Sequence, residues 1–371
     1  MVGSAMAVDL VSQHNVTVTD INEKTLDGIK LKSTDLKTRV LDVTDKTELA
    51  KAITSYDMVV CAVPGFLGFE TLKTIIETGK NVIDISFFPE NSLELDSLAK
   101  EKNVTAIVDC GVAPGMDNYI LGRYNQELEL TDFECLVGGL PKVKKWPFSY
   151  KAPFSPIDVI EEYTRPARYV ENGVEIIREP LTDCEFVEFD KVGTLESFNS
   201  DGLRSIIHTM SHIPNMKEKT LRYPGHVEYI RVLKESGFFD TKNMNVNGKE
   251  ISPLDFTSKV LFKEWKLGDK EPELTVMRVS VKGKNTEGKV EEVIYDLYDE
   301  YNPTTNTSSM ARTTGYTATA SVNMFLDDLF QEKGVFPPEL IGGKKDCFEY
   351  VFSYLQARGV HYKKSTNIID S

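Results

Sequence analysis

Over its first 115 positions the chain alternates between two hydrophobic rhythms. Short β-branched runs, "NVTVTD", "TRVLDVTD", "YDMVVCAVPG", "NVIDIS" and "VTAIVDCGVAPG", are separated by stretches with helical spacing, "KTELAKAITS", "FLGFETLKTIIETG" and "ENSLELDSLAKEK". The opening "MVGSAMAVDL" also has a helical pattern, with Ala5, Met6, Val8, Leu10 and the following Val11 apolar. Short apolar strands joined by helices of about 10 to 15 residues predict a parallel, doubly wound α/β sheet of the Rossmann type. Asp20, Asp42, Pro64-Gly65, Ser86 and Gly111 lie at or just past the carboxyl ends of these strands. Any one of them could be a turn or cap residue. The same placement on five strands predicts a ligand crevice, because open α/β sheets bind ligands at that edge.

Near residue 130 the texture changes. "TDFECLVGGLP" reads as strand and turn, and the proline- and aromatic-rich "KKWPFSYKAPFSPIDVIEEYTRPARYVENG" follows. Then comes an apparent meander, "VEIIREPL", "CEFVEFDKVGTLESFNSDG" and "ELTVMRVSVKGKNTEGKVEEVIYDLYDEYN". The last is a strong hairpin signal, two β-rich runs around a charged, glycine-containing turn. Helical "DGLRSIIHTM" and "HVEYIRVLKESGFF" interrupt the strands, "SSMARTTGYTATASVNMFLDDLF" resumes helix from Ser308, and the chain closes on helical "CFEYVFSYLQARG". The pattern predicts a nucleotide-type domain over 1–119, an α+β domain over 120–306, and C-terminal helices over 307–371.

At 371 residues, 41% hydrophobic and 27% charged, the chain has room for two cores of ordinary globular composition. Its net charge of −14, from 57 acidic and 43 basic residues, argues against a nucleic-acid or anionic-membrane surface. Cys61, Cys110, Cys135, Cys184 and Cys347 are scattered without metal-ligand spacing, so no metal is expected. With no signal peptide or apolar span, a reducing, cytoplasmic setting is expected.

Gly3 fits the last glycine of a G-x-G-x-x-G fingerprint, the one that lets helix and strand pack closely. Asp20, 17 residues on, would then bind the adenine ribose 2′-hydroxyl and repel a 2′-phosphate, favouring NAD over NADP. Asp42 is expected near the adenine, and Ala62, Val63 and Pro64 beside the nicotinamide. The first strand and first two glycines of such a fingerprint would precede Met1, so a natural start upstream of Met1 is expected. Without that strand, its neighbours would have unpaired backbone groups.

The marks "DCGVAPGMDN", "GGLP", "EEYTRPARYVENG", "FNSDGLRS", "KTLRYPGHVE" and "ARTTGYTA" together make the chain resemble the saccharopine dehydrogenase family over nearly its whole length. The resemblance implies a Rossmann domain, an inserted α+β domain that binds substrate and dimerises, C-terminal helices that pack back on the Rossmann domain, and a homodimer acting on a small amino acid. It also implies hydride removal from a carbon bearing nitrogen, followed by hydrolysis of the imine. Ala113 stands where saccharopine reductases carry an active-site Asp, and His226 where they carry an aromatic residue. The "YTRPAR" and "RYPGH" forms are closer to lysine 6-dehydrogenase. A saccharopine dehydrogenase, a non-catalytic NAD-binding homologue and a carboxynorspermidine-type synthase remain alternatives.

The reaction calls for a carboxylate anchor, a base and a group to steer water. Arg222 is the candidate anchor, or else part of a structural salt bridge. His226 is the candidate base, with His208 and His212 as competitors. Asp84, Asp109 and Asp117 are expected near the crevice, Asp117 more as the cap of a helix starting at Asn118. Ser86 and Gly111 are expected at the nicotinamide pocket. Arg312 should touch cofactor or substrate, or pair with an acid.

Overall fold

Strands buried on both faces need apolar side chains on both faces, and the chain supplies them. Gly334–Phe336, Thr105–Ile107, Asn81–Asp84 and Met58–Cys61 form, in that order, a four-stranded parallel sheet in the computed structural model, which describes residues 2–153, 156–268 and 270–369. Val82, Ile83, Ala106 and Ile107 are fully buried in it, and helix Gly65–Glu77 packs Leu72, Ile75 and Ile76 into the core that holds Val82 and Ala106.

Thr17–Asp20 and Lys37–Val40 pair in parallel as a separate two-stranded sheet. The expected single sheet is therefore two among the described residues. A strand's N–H and C=O groups reach only a neighbour about 4.8 Å away, and no described strand pairs with both Thr17–Asp20 and Met58–Cys61. In consequence Met58, Val59 and Val60 stay half-buried.

The inserted segment builds a nine-stranded sheet. Along its main path run Tyr362–Ile369, Val290–Glu300, Glu273–Lys284, Glu129–Pro141, Asn215–Arg222, Gly193–Asn199 and Glu185–Phe189. The expected hairpin is present, in register from Leu274 opposite Glu300 to Lys284 opposite Val290. Asn215–Arg222 runs parallel to Glu129–Pro141, and the other main-path neighbours are antiparallel.

Two expectations about the later chain need correcting. In "DGLRSIIHTM" only Ile206–Thr209 is helical, because Asp201 is held outside any helix by the Arg168 guanidinium, at 3.0 Å from both Nε and Nη2. The C-terminal segment is not all helix. Gly334–Phe336 extends the four-stranded sheet, and the β-branched tail Tyr362–Ile369 adds an edge strand to the large one.

Helix Ser309–Leu326 joins the two halves. Its small residues Gly315, Ala318, Ala320 and Ser321 let it be buried on nearly all sides, and it packs against Val2–Leu10, Asn81–Asp84, Glu273–Lys284 and Lys345–Ala357. Asp9 of the first helix is fixed by Arg358 Nε at 2.6 Å and by the Tyr354 and Thr319 hydroxyls. Among the described residues no helix is long and apolar enough to cross a membrane.

Candidate active site

The carboxyl ends of three of the four parallel strands, Met58–Cys61, Asn81–Asp84 and Thr105–Ile107, open onto a cavity of about 420 Å³, closed on the far side by the large sheet. Val2 and Gly3, Ala62 to Pro64, Ile85 to Phe87, Asp109 and Gly111 form one wall. Ser200 to Gly202, Glu218, Thr220 and Arg222 form the other, with Asp158 and Glu162 between them. The volume is in the range of small-molecule sites.

Of the residues expected to hold cofactor, Gly3, Ala62, Val63, Pro64 and Gly111 line this cavity; Asp20 and Asp42 do not. Both carboxylates are engaged in local turns. Asp20 Oδ1 accepts the Asn22 N–H at 2.8 Å. Asp42 Oδ1 accepts the Thr44 hydroxyl at 2.7 Å and the Thr44 N–H at 2.9 Å, which lowers its pKa.

Ser86 lies on the wall and donates its hydroxyl to Asp84 Oδ1 at 2.9 Å; its N–H reaches Asp84 Oδ2 at 3.0 Å. Asp84 itself sits behind Ser86, off the cavity surface, with a carboxyl pushed up to about 7 mainly by burial. Its expected catalytic role becomes one of holding Ser86. Asp109 does reach the cavity, with its backbone at φ 53° and its Oδ1 accepting from Arg204 Nε at 2.8 Å. Burial raises its pKa against the pull of Arg204.

His226 is corrected from base to core residue. It does not line the cavity and is only 1% exposed, among the rings of Phe148, Tyr150, Tyr163 and Trp265. The Phe148 carbonyl, 3.0 Å from Nδ1, can only accept, so the proton is on Nδ1 and Nε2 accepts from the Tyr163 hydroxyl at 2.9 Å. Burial first, and the nearby Arg222 charge second, lower its pKa to about 3. Its unfolded value is near 6.5, so its contribution to stability is complete above that pH and is lost as pH falls toward 3. His226→Gln should therefore lie furthest below wild type in denaturant midpoint at about pH 7.5. The gap should narrow toward about pH 5 by at most ~1.4 kcal/mol per pH unit; a gap independent of pH would refute the assignment.

Arg312 is likewise corrected. It is 6% exposed, off the cavity, and forked onto Asp299 at 3.1 and 3.2 Å, with the Arg358 and Gly359 carbonyls completing its shell. The competing histidines are also elsewhere: neither His208 nor His212 lines the cavity, and His212 Nε2 meets Asn125 Oδ1 at 2.6 Å. Asp117 belongs to helix Met116–Tyr124, which starts two residues earlier than expected, and turns back to accept the Gly115 N–H at 2.8 Å, fixing that terminus from inside the first turn.

Arg222 lines the cavity, but its guanidinium is already engaged. It donates to Glu162 Oε2 at 2.6 Å, the Leu221 carbonyl at 2.9 Å, and the Tyr163 and Tyr150 hydroxyls at 3.2 and 3.4 Å. Of its five N–H groups, one is left for a ligand.

The sequence reading missed Glu162, Asp201 and Glu218. A signal for Glu218 was available. In a strand, residues two apart share a face, so a crevice-facing Arg222 carries Thr220 and Glu218 with it, and all three line the cavity. Ala113, where the resemblance implies an aspartate, is on the same surface.

Residues 1–107 match the family model described as the saccharopine dehydrogenase NADP binding domain, and 111–360 that of the saccharopine dehydrogenase C-terminal domain. The chain is 26% identical over 259 residues to the alpha-aminoadipic semialdehyde synthase of Arabidopsis thaliana, covering 65% of this chain and 24% of that one. It is 27% identical over 243 residues to the saccharopine dehydrogenase [NADP(+), L-glutamate-forming] of Schizosaccharomyces pombe, covering 62% and 54%. It thus spans about half or less of the length of these relatives. The structure of apo saccharopine dehydrogenase (L-Glu forming) from Saccharomyces cerevisiae superposes with a TM-score of 0.78 at 19% identity, over 99% of this chain and 98% of that one, a likeness of fold.

Proposed function

Because the chain belongs to the saccharopine dehydrogenase family, we propose that it is a nicotinamide-dinucleotide-dependent dehydrogenase that oxidises a C–N bond of a cationic amino acid, with lysine the leading candidate. The observation that carries this reading is the charge of the cavity wall. Asp109, Asp158, Glu162, Asp201 and Glu218 line it, against Arg222 as the one cationic side chain among the described lining residues. Arg204, Arg168 and Arg222 balance Asp109, Asp201 and Glu162 respectively, and Glu218, whose Oε2 has no hydrogen-bond partner, is the surplus carboxylate. A wall with surplus carboxylate favours a substrate with surplus ammonium. Lysine carries two ammonium groups and one carboxylate, whereas saccharopine carries three carboxylates.

The residues present fit the nicotinamide end of a dinucleotide. Helix Val2–Leu10 begins on the cavity wall, and the first N–H groups of a helix have no partners within it, which suits a phosphate. A Cβ on Gly111 would stand 3.0 Å from the Pro114 carbonyl oxygen, so that strand end stays bare. Gly3, Ala62 to Pro64 and Gly111 would hold the group, which when bound supplies the hydride acceptor. Ser86, fixed by Asp84, gives the wall an oriented hydroxyl, and Arg222 offers its remaining N–H to the substrate α-carboxylate.

Incubating the protein with NAD⁺ or NADP⁺ and either lysine or saccharopine tests the reading by nicotinamide absorbance. Turnover of lysine supports it. Turnover of saccharopine alone would transfer it to the L-glutamate-forming activity carried in the names of the relatives. Dinucleotide binding with neither substrate consumed leaves a non-catalytic binder.

The NAD preference is part of the proposal, although the matching family model is described as NADP-binding. It rests on Asp20 ending the second-sheet strand Thr17–Asp20. A carboxylate beside a 2′-phosphate is a like-charge contact, so Asp20→Ser should lower KM for NADP⁺ at least tenfold, about 1.4 kcal/mol. A wild-type protein already preferring NADP⁺ sinks the preference. The expected homodimer belongs to the same reading; sedimentation of a monomer at micromolar concentration would end it.

A further inference from the structure

With His226 in the core, the reaction proposed above lacks a base, and the cavity wall supplies one group not yet used. Glu218 lies directly opposite Cys135 in the parallel pairing of Asn215–Arg222 with Glu129–Pro141. Asp117, in the first turn of Met116–Tyr124, meets both: one donor atom from each of the three lies within 4.8 Å of the other two. Asp117 is fully buried and Glu218 is 4% exposed. Asp117 Oδ2 and Glu218 Oε2 are both buried without a hydrogen-bond partner.

Two buried carboxylates this close, each with an orphaned oxygen, would, if both were charged, repel in a medium that screens poorly. A single proton removes the repulsion and gives one of the two groups a donor. We propose that Asp117 and Glu218 are a carboxyl pair holding one proton, and that Glu218 is the catalytic residue that takes a proton from the substrate ammonium. This inference rests on the amino-acid dehydrogenase reading.

The surroundings favour the proton over a cation. Cys135 belongs to the apolar core cluster and burial raises its pKa far above the usual thiol range, so it stays S–H and not the thiolate that binds metals. Asp201, Glu162 and Glu339 add negative charge around the pair. The opposing Arg204 is committed to Asp109 and the Phe88 carbonyl, Arg168 to Asp201, and Arg222 to Glu162. Tyr169 donates to the backbone carbonyl of Glu218 at 2.8 Å, and the Tyr362 hydroxyl is buried without a partner. Burial accordingly holds Asp117 up to about 7 and Glu218 well above the usual carboxylate range. Gly202 makes the space: a Cβ there would stand 2.1 Å from the Glu218 carboxyl carbon.

The step assigned to Glu218 is proton transfer alone. The ammonium N–H bond breaks, an O–H bond forms on the Glu218 carboxylate, and the electron pair stays on nitrogen, ready to drive hydride departure. The product is a neutral carboxyl pair, the form that burial prefers. Asp117 is the positioning residue that retains the resting proton and leaves Glu218 able to accept.

Infrared spectra and pH–rate profiles of the full chain and its Glu218→Gln, Asp117→Asn, Gly202→Ala and double D117N/E218Q variants test this. The wild type near neutral pH should show a carboxylic-acid carbonyl band absent from the double variant. Glu218→Gln should lower kcat roughly 10²- to 10⁴-fold, a larger effect than on lysine KM. Asp117→Asn, which is neutral and keeps a donor where the protonated carboxyl stood, should keep turnover with the acidic limb of kcat/KM little moved. Gly202→Ala, which displaces the carboxyl without removing it, should lower kcat with Glu218 intact. Absence of the band in wild type, or a divalent cation that co-purifies and is lost in Glu218→Gln, overturns the pair. The band together with an unchanged kcat in Glu218→Gln overturns the catalytic role. The band without turnover of any amino acid upholds the pair and rejects the dehydrogenase reading instead.

Discussion

Arg222→Met is expected to lower the unfolding free energy by about 3–5 kcal/mol, the cost of leaving a buried partner charge unpaired. Side-chain exposure in the Arg222–Glu162 pair is 2% and 19%, and the N–O distance is 2.6 Å. The guanidinium also lies 4.4 Å from the centre of the Tyr150 ring and donates to Tyr163, which in turn donates to His226. Removing it strips the cation from Glu162 and breaks that chain at its head. The double variant R222M/E162Q should recover most of the loss, because a neutral pair of similar volume has no charge left to solvate. The same two proteins separate the remaining roles of Arg222. If its spare N–H holds the substrate carboxylate, lysine KM stays raised in the double variant although stability returns. If the pair is structural only, both recover together. A denaturant midpoint for Arg222→Met equal to wild type contradicts the structural role.

Gly122→Ala is expected to cost about 2–3 kcal/mol, even though alanine is the better helix former. Helices Met116–Tyr124 and Pro338–Gly342 meet backbone to backbone. A Cβ on Gly122 would stand 2.1 Å from the Glu339 carbonyl oxygen, and one on Gly342 2.2 Å from that of Tyr119. Neither obstacle is a flexible side chain, so the helices themselves would have to part. Glu339 is buried here, accepting from Asn118 Nδ2 at 2.8 Å and the Thr209 hydroxyl at 2.6 Å. Separation would loosen those bonds and the start of the Asp117 helix with them. Thermal denaturation checks this; a melting temperature within a degree or so of wild type would falsify the interlock.

These two sites differ in how far the sequence reveals them. Arg222 stands in a recognisable motif, "KTLRYPGHVE", and is legible as a functional candidate, but its partner Glu162 is 60 residues away. Gly122 belongs to no motif and looks like a mild flaw in a helix. Its reason lies 217 residues further on, at Glu339.

The strand ends at Ala62 to Pro64, Ser86 and Gly111 were legible as a crevice wall because a parallel strand advertises itself locally. Its apolar run and the turn that ends it are consecutive in the chain. The hairpin Glu273–Lys284 with Val290–Glu300 was legible for the same reason. Charge pairing is not local. Arg204 meets Asp109 from 95 residues away, and Arg312 is forked onto Asp299 of another element. Nothing in the spacing distinguishes a guanidinium spent on a buried carboxylate from one free to bind a ligand.

Periodicity, motif and composition thus determined by themselves the alternating α/β start, the inserted antiparallel strands, the family and the crevice edge where a ligand is expected. Only the tertiary structure decided that His226 is core, that Arg312 is structural, that the parallel strands form two sheets and that Glu218 faces the cavity beside Asp117. Backbone periodicity arises from neighbours in sequence, whereas the ionisation and availability of a side chain depend on burial and on charges brought close through space.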